Sequence, residues 1–198
     1  MLDVKCLNHS KTEVKNDKEI NSFLSPGNVL VVVIPDIVNK NVFDIYQPRV
    51  SQTKLNEIQD YINRLNSLHI HANVINPSYE EVAVDLKVKF YKGFDENYYL
   101  KVLNEDITRL LSPWAYEETA SIDFGVVLHR SLVINYIEKL NYVDYVEDVK
   151  LLKGTRVSLT SISPSCPKAI LVSAKQHQLS VAVKSCKVTA DTEEKCQI

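Results

Sequence analysis

The sequence predicts an α+β fold: a ferredoxin-like plait in the order β-α-β-β-α-(α)-β, with two helices on one face of a mainly antiparallel sheet and a C-terminal β-hairpin extension. Three observations predict it. "VLVVVI" (29–34) is a continuous β-branched run. Val82, Val84, Leu86, Val88 and Phe90 alternate with Ala83, Asp85, Lys87 and Lys89. Two other segments repeat apolar residues at steps of three and four. These are the periods of a buried strand, a half-buried strand and amphipathic helices. Packing the helices on one side of one sheet is the economical way to bury all their apolar faces.

The elements follow in order. Residues 1–28 are polar and end in "SPGN"; they read as an arm outside a core domain of residues 29–152. "VLVVVI", stopped by Pro35, suits a strand covered on both faces. "PDIVNKNVFDIYQP" is a loop between two prolines. Ser51 is placed to cap a helix whose inward stripe is Leu55, Ile58, Ile62, Leu65 and Leu68. Ile70, Ala72 and Val74 share one face of a short strand, and "NPSYE" makes a turn or bulge. The long strand then sets Val82, Val84, Leu86, Val88 and Phe90 inward. Ala83, Asp85, Lys87, Lys89 and Tyr91 point out.

After the turn "YKGFD", Asp95 caps a second helix with the stripe Tyr99, Val102, Leu103, Ile107, Leu110 and Leu111. Ser112-Pro113 stops it, because the residue before proline avoids helical geometry. "WAYEETASIDFG" is an irregular loop. A short helix after Ser131 turns Val133, Ile137 and Leu140 inward, and "YVDYVEDVKLL" is the last core strand. Residues 153–198 form an extension: "AILVSAKQHQLSVAV" reads as two short strands joined by a polar turn, followed by a loose tail.

Composition narrows the function. A chain of 198 residues can hold one domain with a real core plus appendages. Its net charge of -2, with both signs mixed along the chain, does not steer it to nucleic acid or an anionic membrane. With 4 glycines and no glycine-rich phosphate loop, G-x-S-x-G or H-E-x-x-H, no common catalytic motif is present. No apolar stretch reaches the roughly 20 residues of a membrane span. The polar N-terminal stretch does not read as a signal peptide, so reduced thiols are expected. Cys6, Cys166, Cys186 and Cys196 lack C-x-x-C spacing; a disulfide among the last three is the one pairing considered.

Several residue pairs invite a chemical reading. His69 and His71, two apart on a strand, could face one metal ion, but no third ligand is near in sequence, and exposed polar residues at a strand start are the simpler reading. Cys166 and His177 could be a thiol and its base, yet Cys166 lies in a Ser- and Pro-rich linker, a poor place to hold a nucleophile. Glu80 and Glu81 are neighbours pointing to opposite faces and read as solvated charge. The first strand carries no aromatic residue for stacking RNA bases. The stretch holding Trp114, Tyr116 and Phe124 is either a lid on the core or an anchor for a partner. No catalytic residue, metal or cofactor is called for.

The succession "VVVIPD", "SQTKLNEIQDYI", "VINPSYEEVAVDLKVKFYKGFD", "LNEDITRLLSPWAY" and "IDFGVVLHRSLVINYIEKLNYVDYVEDVKL" resembles the C-terminal part of baseplate J-like proteins, wedge components of contractile injection systems. "VKCLNH" and "AILVSAKQHQLSV" are similar to the subgroup in tail-like particles of Bacteroidetes. The likeness runs over about residues 4–183. Members are much longer, so Met1 is expected to lie inside a larger protein and the arm to be a severed connection.

The resemblance implies a structural, non-enzymatic protein. Its partners would be a second J-like subunit, sheath and spike or hub proteins. It would assemble in the cytoplasm within the baseplate of a contractile particle, of a kind that can be released. On this reading Trp114, Tyr116 and Phe124, with Asp85, Lys87, Lys89 and Tyr91 on the long strand, are candidate partner contacts. The rival reading is a regulatory ACT-like plait holding a small molecule between subunits. Such sites use a glycine in the turn after the first strand, and "PDIVNK" has none.

Overall fold

The computed structural model describes residues 3–15, 18–36, 44–117 and 120–182. Among them five strand pairings are antiparallel and three parallel, with three α-helices, so the α+β class stands. The single plait does not form. Its strands are divided between a three-stranded and a five-stranded sheet.

The smaller sheet has the order β1 (Asp3–Asn8), β4 (Asn28–Ile34), β5 (His71–Ile75). The stretch expected to be an arm thus supplies an edge strand, antiparallel to β4, and the hairpin β2 (Lys11–Lys15)–β3 (Lys18–Ser22). β5 runs parallel to β4, which requires a crossover, and α1 (Gln52–Leu65) provides it. The expectation for "VLVVVI" holds in detail. Val31 and Val33 pack with Leu55, Ala72 and Val74 beneath α1, while Ile34 packs into the larger lobe. β4 is therefore covered on both sides, and Leu30 to Ile34 are all buried.

α1 departs from the expected pattern. Ser51 occupies the N-cap position without a side-chain cap bond, and only Leu55, Ile58 and Ile62 face the sheet. Leu65 and Leu68 were expected inward; they are 71% and 88% exposed. The helix ends at Leu65, and β5 is too short to lie under a further turn. Two amides along α1 close the outer edge of β5. Asn63 Oδ1 accepts from the Ala72 N–H at 2.8 Å and its Nδ2 donates to the Ala72 carbonyl at 3.0 Å. Gln59 Oε1 accepts from the Val74 N–H at 3.0 Å. An edge satisfied this way cannot template another strand.

The larger lobe is built on β6 (Ser78–Phe90). β6 starts four residues before the expected alternation, so "SYE" of "NPSYE" is strand rather than turn. β8 (Val143–Lys153) lies antiparallel on one edge, and β9 (Arg156–Ser158) follows it. α2 (Glu96–Leu111) and α3 (Arg130–Glu138) cover the inner face. Val82, Val84, Leu86 and Val88 pack on Leu103, Ile107, Val133 and Ile137, all at 0% exposure. Each such side chain stabilises the fold by about 1.5–3 kcal/mol. Asp95 caps α2 as expected, accepting from the Tyr98 N–H at 2.8 Å. β7 (Leu128–His129) pairs with β10 (Ser161–Ile162) to tie the loops at the start of α3.

The expected C-terminal hairpin is a correction. β11 (Ala169–Ser173) and β12 (Gln178–Val181) do not pair with each other. Both run parallel to β6, one after the other, along the edge opposite β8. A hairpin would have left the far edge of β6 bare; the in-line arrangement pairs it. The tail, with Cys186 and Cys196, lies outside the described residues, as does 37–43 of the loop after β4.

Candidate functional site

The seam between the lobes organises the "LSPWAY" stretch. Pro113–Ala115 form a single 3-10 turn after α2. This drives Trp114 inward, 7% exposed, against Ile34, Ile122, Ile170 and Val172. Trp114 is a lid on the core in this chain, and its Nε1–H has no acceptor among the described residues. Phe124 packs at the rim of the same cluster, with the Lys5 ammonium 5.3 Å over its ring. Tyr116 is exposed. Its hydroxyl meets that of Tyr46 at 3.0 Å and the Arg109 guanidinium lies 5.1 Å over its ring. Burial and the Tyr46 bond push the Tyr116 phenol up to about 12.

A strap of residues 44–50 binds the outer face of β6 above this seam. Tyr79 donates to the Pro48 carbonyl at 2.7 Å, Gln47 Nε2 donates to Glu81 at 3.1 Å, and Asn76 exchanges two bonds with the backbone of Val50. Beside the strap lies a groove of about 610 Å³ lined by Gln52, Asn56, Gln59, Asn73 and Asn76. Gln52 and Asn56 bond to each other, and Gln59 and Asn76 to backbone. Of these amides Gln59 and Asn76 are engaged in the fold, and the described lining holds no carboxylate or imidazole.

Further along β6 the outer face is charged. Asp85 lies 3.5 Å from Lys150, Lys87 2.7 Å from Asp148 and Lys89 3.5 Å from Glu96. β8 makes room with a bulge: from Asp85 to Lys87 is two steps on β6, but from Lys150 to Glu147 is three on β8. The extra residue, Asp148, has φ 53°. Aspartate tolerates that left-handed conformation better than most side chains. The hydrogen bond between Lys87 and Asp148 holds the lysine above its usual pKa and the carboxylate below. Tyr91 is exposed at the end of this face.

Of the acidic pair expected to be solvated, Glu81 is exposed but Glu80 is not. Glu80 is ion-paired to Lys153 at 2.5 Å and accepts from the Ser165 N–H; both side chains are largely covered. Burial alone would raise its pKa, but the bonds to Lys153 and Ser165 outweigh burial and hold it below the usual range. Glu81 faces the other way, to Gln47. His69 falls in the turn before β5 and His71 begins it, so the two are not partners on one strand face.

His177 has a role that sequence reasoning missed. Between β11 and β12 the edge chain leaves β6, and the Val84 N–H loses its backbone acceptor. His177 Nδ1 accepts from it at 3.1 Å. Nε2 faces Ser173 Oγ at 3.2 Å and Thr108 Oγ1 at 3.5 Å. Both hydroxyls already donate, to the carbonyls of Ala174 and Asn104, so each can only accept. The ring is therefore neutral, with its proton on Nε2. Burial pushes its pKa down to about 4. Both ring nitrogens are engaged in the scaffold, leaving none to activate Cys166. The sequence signal was the polar "AKQH" between two apolar runs.

Residues 3–170 match the family described as "PVC11-like: Baseplate protein PVC11-like". The chain is also similar to a solved chain titled "Cryo-EM structure of the anti-feeding prophage (AFP) baseplate, 6-fold symmetrised", with a TM-score of 0.54 and 16% identity. The match covers 74% of this chain and 29% of that one, and at that identity it shows the fold alone. No curated protein sequence matches. With the family match spanning most of its length, the chain belongs to the PVC11-like baseplate proteins, structural components of contractile injection systems.

Proposed function

We propose that this chain is a wedge component of the baseplate, joining wedge subunits between the central hub and the sheath through protein–protein contacts. The family match over residues 3–170 carries this reading. The chemistry of the fold agrees with it: His177, Glu80, Gln59 and Asn76 are all spent on holding strands and loops together. The contact surface is the outer face of β6 and β8, where Asp85, Lys87, Lys89 and Tyr91 lie, with Tyr116 and the rim at Phe124 adding a second contact. Trp114 serves these contacts indirectly, by fixing the seam that carries Tyr116. The action is mechanical. A polar face that pairs with itself when free can exchange those ion pairs for a neighbour's and release them when the baseplate rearranges.

The test is a pull-down from lysate of the source organism with the immobilised chain. Recovery of sheath, spike or second wedge proteins is expected, with loss of that recovery in Lys87→Glu/Lys89→Glu. Retention of none of these by the folded wild-type chain overturns the reading.

A further inference from the structure

Helix α1 carries apolar residues on two sides, and the fold uses only one. Leu55, Ile58 and Ile62 face the sheet. Tyr61 and Leu65, four apart, lie on the outside at 65% and 71% exposure, and Leu68, in the turn just beyond the helix, is 88% exposed. The loop bearing Phe23 and Leu24 reaches the same end of the lobe, where the Gly27 carbonyl accepts from the His71 N–H at 2.8 Å. Leu24 is 91% exposed. Single exposed apolar residues are ordinary on protein surfaces; several at one end of a helix are a patch.

We propose that this patch is a self-association surface on which a second copy of the chain docks, α1 antiparallel to α1. The charges beside the patch select this occupant. Asp60 and Arg64, one turn apart on the same flank, are exposed and make no ion pair among the described residues. Lys54 and Glu57 are already paired with each other at 2.6 Å. Two copies related by a twofold axis opposite Ile62 set Asp60 of each helix level with Arg64 of the other, on the same side of the interface. The surface is self-complementary, as a twofold contact requires. Leu65 of each copy then lies within a turn of the other's Tyr61. A few large apolar side chains per copy make a small patch, at or below the roughly 1,000–1,200 Å² of total burial where specific interfaces begin. The expected association is weak and concentration-dependent, suited to subunits crowded together in an assembly.

Sedimentation velocity on the full chain tests this across the micromolar range. A monomer–dimer equilibrium is expected. Leu65→Asp/Leu68→Asp should be monomeric at every concentration with an unchanged melting temperature, because neither side chain supports the fold. Asp60→Arg or Arg64→Asp alone should weaken the dimer several-fold, and the double exchange Asp60→Arg/Arg64→Asp should restore it. A wild-type chain that stays monomeric, a dimer that survives the double aspartate change, or a charge exchange that fails to restore association would each overturn the proposal. The last two outcomes would place the contact on another face. The experiment uses the chain alone, so its failure leaves the wedge reading standing.

Discussion

The two ends of β6 differ in sequence pattern and in what covers them. Along residues 78–82 Tyr79 is half-buried beneath the strap, bonded to Pro48 and packed at the edge of the Trp114 cluster, while Glu81 stays exposed with Gln47 as its partner. Along residues 83–90 the outward side chains face solvent and pair in charge with β8 and α2. The inward positions differ too: from Val82 to Val88 they are valine and leucine with no exposure, whereas Ser78 and Glu80 before them are only half-buried. Alternation states which way a side chain points; it does not state what arrives to cover it. That depends on long-range partners, here Ile34 from β4, Ile170 and Val172 from β11, and Trp114 after α2.

Breaking the covered half should cost most. Trp114→Ala is expected to destabilise the chain by about 3–5 kcal/mol in denaturant titration, the range for emptying a buried tryptophan site. Because the seam joins the lobes, the loss should also expose amides of β4 to hydrogen exchange before those of β8. Equal exchange in both strands would mean that the seam is not what couples them.

The His177 plug tests where the two halves meet. Its imidazole titrates near 4 in the fold and near 6.5 when unfolded. Below 6.5 the unfolded chain binds a proton that the folded one excludes, so stability falls as pH drops from about 6.5 to about 4. The loss approaches about 3 kcal/mol at the lower end. In His177→Gln the slope over that window should flatten. Glu80, whose pKa is lowered in the fold, contributes its own loss mainly below the ordinary carboxylate range, so the difference between wild type and variant isolates the histidine.

Smaller effects sharpen the comparison. Lys153→Ala leaves the largely covered Glu80 carboxylate without its cation and should cost about 1–3 kcal/mol, read from the urea midpoint. Lys87→Ala on the open half should leave the midpoint unchanged at physiological salt, since the pair with Asp148 is solvent-exposed and screened. A clear drop there would show that the ion-pair face contributes to folding.

Local structure was legible wherever a period ran long enough. The burial of "VLVVVI", the Asp95 cap, the stop at Ser112-Pro113 and the inward faces of α2, α3 and β6 all follow from spacing and cap chemistry. The failures have a common cause. Leu65 and Leu68 fit the helical period, yet the sheet below them ends too soon to cover them. "AILVS" and "QLSV" look like the arms of a hairpin, but a strand edge elsewhere in the fold competes for both. His177 could not be assigned from its neighbours, because the group it satisfies, the Val84 N–H, is 93 residues away. The division of the plait into two sheets was likewise decided by the strap and seam, which no local period encodes.

The gap between β11 and β12 carries an arithmetic constraint. Ser173 stands opposite Val82 and Gln178 opposite Asp85, so the edge chain takes five steps where β6 takes three. The surplus of two is even, and that is why Leu179 and Val181 return to the same side as Leu171. Length change in this loop is therefore quantised. Removing one residue, such as Lys175, would bring the chain back out of phase and turn Leu179 and Val181 to water. Removing Lys175 and Gln176 together would preserve the phase. A family that varies this loop while keeping the sheet should do so in twos.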